Sequence, residues 1–544
     1  MTFPASGEAA VPAWRRVRSV SGFDLGAVLS VVLAALALAP LAYLVWRTLE
    51  GGESALAALV RPRTRELVIR SVLLAGAVAS TSAVIGLALA WLTERVDLSG
   101  RRLLAVLFAL PLAVPSYLTA YALVAVFGPR GVLAGALERA FGFERLPEFY
   151  GFFGAWFTLT LVTYPYAYLS VRAALRGVDP TLEDAARLLG HGRFCTFLRV
   201  TLPLLRPGIV SGMLLSALYT LADFGAIAIL RYPTLTYSIY NQYRLSFDRS
   251  AAAALALLLV AISAMLVVAE RRWRRRAAFY RLVGVARSQP RGRPRWWAWG
   301  VLAIGLALVG TALGAPAGIA AYWLWRARML GEALPSVSEP LVHSLVVGIG
   351  AATLTVSAGF LVARTIVRTG GRMASALDLP LWISYALPGI VLALALVSLT
   401  AQFLPFLYQT LALLFVGYLL RFLPEAVGTL RSVLLQQNPR LEEAARTLGM
   451  RPWRAWLRVQ LPLALPGFGS AFALVFLTTV KELPVTLLLS PIGFPTLATT
   501  IWNATAEAYW SHAALPTLLL LSIGVVPMGF FNWWQERTLG EGRG

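Results

Sequence analysis

The chain has 544 residues, 58% of them hydrophobic and only 14% charged, with a formal net charge of +22 and a mean hydropathy of +0.70. A soluble protein carries about 25% charged residues, so a soluble globular fold is excluded. The arginine excess lies mostly in short loops and at the ends of apolar runs, where cations fix topology and meet anionic headgroups. The charge therefore points to a lipid bilayer and not to nucleic acid.

Apolar runs of 18 or more residues recur along the chain, each long enough to cross a hydrocarbon core of about 30 Å as a helix. The sequence predicts an all-α polytopic membrane protein. Residues 1–22 are a polar tail with Arg15, Arg16 and Arg18 before the first run, Leu25 to Val45. That run is too long for a signal-peptide core and lacks a cleavage context, so it reads as an uncleaved span with a cytoplasmic N-terminus. Spans at about 67–91, 102–127, 152–172, 204–230 and 251–269 complete a first repeat, 23–270. A linker at 271–296 holds ten arginines and no acid, which suits the cytoplasmic side. A second repeat, 297–535, has spans at about 298–324, 341–366, 377–400, 408–429, 463–490 and 513–534, and 536–544 is a cytoplasmic tail. The prediction is about 12 transmembrane helices as two parallel six-helix repeats, related by an axis along the membrane normal.

The strongest repeat is not a span. Residues 182–208, LEDAARLLGHGRFCTFLRVTLPLLRPG, align without a gap to 441–467, LEEAARTLGMRPWRAWLRVQLPLALPG, at an offset of 259, with 15 of 27 positions identical. Topology puts both copies on the cytoplasmic face, after the fourth and tenth spans. Asp179-Pro180 and Asn438-Pro439 predict helix starts, a capping side chain followed by a proline at the first helical position. Glu183 and Asp184, or Glu442 and Glu443, fall in the first turn, where the helix dipole favours acids. Ala185, Ala186, Ala444 and Ala445 allow close approach. Gly190 and Gly449 predict a left-handed stop. Aromatics three apart follow, Phe194 and Phe197 or Trp453 and Trp456, before Leu202-Pro203 and Leu461-Pro462 return to the membrane. Each product is a short helix, a sharp turn and a second helix lying on the membrane surface.

The order acid-Ala-Ala, three residues, Gly, nine residues, aliphatic, one residue, Leu-Pro resembles the EAA loop of ABC-importer permeases. It fits Asp184-Ala185-Ala186, Gly190, Val200, Leu202-Pro203 and again Glu443-Ala444-Ala445, Gly449, Val459, Leu461-Pro462. The first copy departs from the family pattern in having Asp184 for Glu, and both have Val for Ile. The resemblance covers nearly the whole chain and implies a type I ABC importer permease in the cell inner (plasma) membrane. It implies that the loops at 179–208 and 438–467 are coupling helices, each docked on one of two copies of an ABC ATPase subunit. A periplasmic or extracellular substrate-binding protein is implied on the other face. Within the family the fused form and the stretches Ala222-Asp223-Phe224-Gly225, RYPTLTYSIYNQY (231–243), Lys481-Glu482-Leu483-Pro484 and GFPTLATTIW (493–502) are similar to iron(III) permeases. Thiamine and aminoethylphosphonate permeases share the fused architecture and remain alternatives. A 6+6 major-facilitator transporter is the alternative of another class, suggested by Asp97-Leu98-Ser99-Gly100-Arg101-Arg102 but silent on the twin segment.

The chain has no G-x-x-x-x-G-K-[ST] phosphate loop, and its only lysine is Lys481. Neither a catalytic site nor a bound cofactor is expected, and ATP with Mg2+ would be held by partner subunits. Cys195 alone excludes an internal disulfide or a cysteine cluster, and His191, His343 and His512 are scattered, so any metal site is unknown. Asp223 lies 259 residues before Glu482, which follows Lys481 inside an apolar run. Ionisable groups at membrane depth mark a pathway by default, so Asp223, Lys481 and Glu482 are the candidates for a translocation pathway or gate. The bland alternative for Lys481 and Glu482 is a local pair steadying a bend before Pro484. Tyr232, Tyr237, Tyr240 and Tyr243 fit an interfacial aromatic belt or a substrate-handling group. Arg421 and Glu425 are spaced as a structural pair.

Overall fold

The computed structural model describes residues 25–128, 131–132, 149–244, 246, 248–276, 292–437, 440–451, 454 and 456–541. The stretch between the third and fourth predicted spans and the centre of the basic linker fall mostly outside these residues. Helix α1 (Leu25–Glu50) and the short α2 (Gly52–Val60) precede α3 (Pro62–Arg95). The predicted third span is two pieces, α4 (Arg101–Ala113) and α5 (Ser116–Phe127), bent by 92°. Then come α6 (Gly151–Arg176), the surface helix α7 (Pro180–Leu188), α8 (Arg193–Ala222), and the short α9 (Gly225–Ile229) and α10 (Leu235–Arg244). Helix α11 (Arg249–Arg276) ends the first repeat.

The second repeat runs α12 (Trp296–Met329), α13 (Ser338–Thr369), α14 (Gly371–Ala386), α15 (Gly389–Phe403), α16 (Leu411–Gln436) and the surface helix α17 (Arg440–Thr447). It closes with α18 (Leu457–Val480), α19 (Pro484–Leu489), α20 (Leu497–Ala506) and α21 (Trp510–Glu541). Among the described residues nine helices are long and apolar enough to cross a membrane, or eleven if each of the two bent pairs is one span. The remaining expected span, 152–172, is α6, whose tyrosines, threonines and Pro165 lower its hydropathy without shortening it below 26 residues.

Three expectations are corrected. The third and ninth spans are broken, because a residue before proline is driven from helical to extended backbone, as Val114 is at φ −83°, ψ 127°. The fifth span ends at Ala222 and not at 230, and the eleventh at Val480 and not at 490. The polar residues that follow, Asp223 and Lys481, take hydrogen bonds from or give them to other elements instead of continuing a helix.

Two compact units divide the chain discontinuously. One comprises residues up to Ala42, Gly348–Tyr385 and Phe415–Thr479; the other comprises Tyr43–Val347, Ala386–Leu414 and Val480–Gly544. In the first unit α1 meets α13 through the hydroxyls of Ser30 and Thr365, 3.0 Å apart, and Ser384 of α14 donates to the Leu420 carbonyl of α16 at 3.1 Å. Small residues bring helices together there, as membrane interfaces require. A Cβ on Gly359 would stand 2.9 Å from Ala426, and one on Gly467 would stand 2.6 Å from Val433. In the second unit α3, α6 and α8 form the central bundle. Gly86 of α3 and Gly212 of α8 both close on Ala167 of α6, leaving no room for a side chain at either position. The Ser82 and Thr163 hydroxyls pair at 3.1 Å in the same contact.

Candidate functional site

The first helix and the turn of the twin segment have the local structure their residues dictate, whereas the expected second surface helix is, in the first copy, the start of α8 and runs unbroken into the span. In the first copy the Asp179 carboxylate accepts from the Thr181 amide at 2.9 Å, Pro180 opens α7, and Gly190 sits at φ +83°. The Gly190 amide donates to Arg187 and the His191 amide reaches back to Ala186 at 3.1 Å, the paired bonds of a glycine stop. The second copy repeats the turn, with Gly449 at φ +83° and the Met450 amide on the Ala445 carbonyl at 3.1 Å. Ala185 and Ala444 face outward, while Ala186 and Ala445 are buried. Asn438, Pro439 and Trp453, and the side chains of Glu442, Glu443 and Trp456, lie outside the described residues.

The two neighbouring acids of the first copy part company. Asp184 is exposed and pairs with Arg187, whereas Glu183 is buried. The Glu183 carboxylate takes a two-point grip from Arg95, the last residue of α3, at 2.7 and 3.2 Å, and a third bond from the Thr201 hydroxyl at 2.9 Å. On the outer surface Leu188, Leu189 and Phe194 are 89%, 80% and 74% exposed, and Leu448 of the second copy is 81% exposed. A feature the sequence reading missed precedes each Leu-Pro. Phe197–Thr201 and Trp456–Gln460 are single π-helical turns at matched positions. Pro203 and Pro462 have no amide hydrogen to give the carbonyl four residues back, so the ladder shifts register there.

The second group of residues gathers where spans break, all in the unit containing α3, α6 and α8. Asp223 is 8% exposed and follows α8 in extended conformation. One carboxylate oxygen accepts from the Ala226 and Ile227 amides at 3.0 and 3.4 Å, capping α9, and the other accepts from the Ser116 hydroxyl. The Thr236 hydroxyl donates to the Asp223 carbonyl at 2.8 Å. Tyr219 lies in hydrogen-bonding reach of Ser116 and feels the charges of both Asp223 and Glu482. The Lys481 ammonium donates to the Leu112 carbonyl at 2.9 Å. Leu112 and Ser116 flank the break between α4 and α5. The structure thus brings Asp223, Lys481 and Glu482, named from sequence, around one bent span. A Cβ on Gly225 would stand 2.7 Å from Tyr117 and 3.3 Å from Leu483, so the approach of these elements needs glycine there.

Phe224 links the cluster to two short helices. Its ring centroid lies 4.7 Å from Tyr240 of α10 and 5.4 Å from Trp502 of α20, the residues at matched places in Ile239-Tyr240-Asn241 and Ile501-Trp502-Asn503. Both short helices are held alike. The Leu235 amide donates to Ser71 of α3 at 3.0 Å, and the Leu497 amide donates to Ser344 of α13 at 2.8 Å. Arg70 stands over Tyr232 at 5.8 Å, while His343 stacks on Phe494 at 3.9 Å. These matched pairs also escaped the sequence reading. The signal was there in Arg70-Ser71 and His343-Ser344, at an offset of 273 and not 259. Among the described residues no group of three His, Cys, Asp or Glu side chains could hold a metal ion.

The family of binding-protein-dependent transport system inner membrane components matches the sequence twice, at residues 82–278 and 355–539. The chain belongs to this permease family. Both matches contain one copy of the twin segment and one of the span breaks at Asp223 or Lys481. The permease is 30% identical over 497 residues to the Fe(3+)-transport system permease protein FbpB 2 of Haemophilus influenzae, covering 90% of this chain and 94% of that one. It is 22% identical over 548 residues to a ferric transport system permease protein of Actinobacillus pleuropneumoniae, covering 96% and 80%. A molybdenum transport system permease of Escherichia coli is 32% identical over 184 residues, a third of this chain and 79% of that one. Membership makes the chain a multi-pass inner-membrane component of a binding-protein-dependent ABC importer, which works with ATPase and substrate-binding partners. The secondary-transporter alternative falls with it.

Proposed function

We propose that the permease carries ferric iron, delivered by a substrate-binding protein, through a pathway built from the cluster at Asp223, Lys481 and Glu482. The whole-chain similarity to two ferric permeases is the observation that carries the cargo. Ferric iron is a hard cation that favours oxygen ligands, and the cluster offers two carboxylates, the Tyr219 phenol and the Ser116 hydroxyl. Conduction needs contacts weak enough to release, and here a lysine beside the acids opposes tight cation binding. Phe224, between Tyr240 and Trp502, forms the apolar constriction of the same pathway.

In this reading the chain supplies no ATPase site of its own. Two ATPase copies, holding ATP and Mg2+, dock on the segments at 179–208 and 438–467, with both chain termini on their side of the membrane. Exposed Leu188, Leu189 and Leu448 supply apolar contact, and Asp184 with Ala185 faces the partner. Uptake of labelled ferric iron in a deletion strain, against thiamine and a phosphonate, tests the cargo. The permease is expected to restore iron uptake alone; restored thiamine or phosphonate uptake instead would reassign the substrate. Within the cluster, Glu482→Gln keeps the shape and removes the charge. It is expected to lower iron uptake at unchanged membrane level, and unaltered uptake would remove Glu482 from the pathway.

A further inference from the structure

We propose that α3 is the transmission element between the first coupling segment and the pathway, with Arg95 and Ser71 as its two positioning residues. The proposal rests on the coupling reading above and goes beyond it in naming the residues that carry motion.

At one end, α3 is tied to the coupling segment, to α6 and to the inter-repeat linker. Arg95 grips buried Glu183 of α7 at two points, and its guanidinium lies 5.4 Å from the Trp91 ring, which meets Phe197 edge-on at 5.0 Å. The preceding residue, Glu94, holds Arg172 and Arg176 of α6 at 2.6 and 2.8 Å. The backbone on both sides of Val96 is clipped to the inter-repeat linker: the Gly292 amide donates to the Arg95 carbonyl at 3.0 Å and the Asp97 amide to the Gly292 carbonyl at 2.9 Å. Arg95 is 9% exposed and Glu183 5% exposed, so this is a desolvated pair with fixed geometry and not a solvated surface contact.

At the other end, Ser71 is 3% exposed; its hydroxyl donates to the Leu67 carbonyl at 2.7 Å and accepts from the Leu235 amide at 3.0 Å. Leu235 begins α10, and α10 carries Tyr240 onto Phe224. Between these points α3 is one uninterrupted helix, and at 1.5 Å per residue the distance from Ser71 to Arg95 is about 36 Å. A displacement of α7 therefore reaches α10 through a contiguous set of hydrogen-bonded and helical links. The second repeat has the same residue types in the same places: Ser344 holds Leu497, Arg368 follows Ser344 by the same 24 residues, and Glu442 matches Glu183.

The test uses the full permease with its ATPase subunits and binding protein in lipid nanodiscs and proteoliposomes. Ser71→Ala removes the acceptor for α10, and Arg95→Lys keeps the charge but loses the two-point grip. Each is expected to retain the ATPase and its basal hydrolysis. Iron carried per ATP, and stimulation of hydrolysis by loaded binding protein, should fall by roughly 5- to 150-fold, the range that coupling free energies span. Arg95→Glu alone should be worse, and Arg95→Glu with Glu183→Arg should recover part of the lost transport per ATP. Unchanged transport per ATP in Ser71→Ala and Arg95→Lys overturns the proposal. So does a loss that merely follows a lower unfolding temperature and is not rescued by the exchanged pair, since that is a structural role. If no ATPase binds the unaltered permease, the coupling reading itself has failed.

Discussion

Replacing Asp223 by alanine is expected to unfold the region around α9 and abolish uptake. The carboxylate accepts from the Ala226 and Ile227 amides and the Ser116 hydroxyl in a site that is 8% exposed. Each buried donor left without an acceptor costs about 1–3 kcal/mol, and the burial of the site leaves little room for water to replace it. Three such donors make this the most costly single truncation in the cluster. Asp223→Asn separates structure from transport. Its amide oxygen still caps α9, and the Ser116 hydroxyl can turn to accept from the new NH2 group, so stability should change by no more than about 1 kcal/mol. The charge is gone, however, and iron uptake should fall with it. Thermal unfolding of the purified permease and uptake in cells read the two effects apart. A well-folded asparagine variant with full uptake would leave Asp223 a purely structural cap.

What the sequence made legible follows the range of the forces involved. The twin segment could be read because Asp179, Pro180 and Gly190 act on their own backbone neighbours, and such local rules need no knowledge of the fold. Asp223 and Lys481 could be recognised as misplaced in apolar runs, but not as helix ends. The stop after Ala222 is set by Ser116 and Thr236, and the bend at Lys481 is met by the Leu112 carbonyl 369 residues away. Hydropathy is blind to such partners. The Ser30–Thr365 contact joins residues 335 apart for the same reason. Helices in lipid meet through packing and scattered hydroxyls, with no apolar stripe to announce the face. The matched pair Ser71 and Ser344 stayed hidden because the offset between the repeats drops from 273 there to 259 at Asp223 and Glu482. The difference is the extra length of the first repeat around 128–151, and it breaks any single-offset comparison.

Valine at both Gly190 and Gly449 is expected to release the ATPase while leaving the spans intact. Both glycines stand at φ +83°, and a Cβ at either would meet nothing within 4 Å. The penalty is therefore conformational and not steric against neighbours. A left-handed residue other than glycine costs about 1–2 kcal/mol, and a β-branched side chain is worse placed there than alanine. The chain can escape that cost only by opening the stop. Opening it loses the His191–Ala186 and Met450–Ala445 bonds and swings the short helix before the stop away from its partner. Copurification of the ATPase should thus fail for the double variant and weaken for either single alanine variant. Gly192 supplies the control, since it lies two residues on at φ −65°, ψ 161°, a conformation open to any residue, with nothing near its Cβ. Gly192→Val should keep the ATPase. If it loses the partner as fully as the double variant does, bulk on this surface and not the turn is what docking resists. If the double variant keeps the partner, the twin segment is not where the ATPase takes hold.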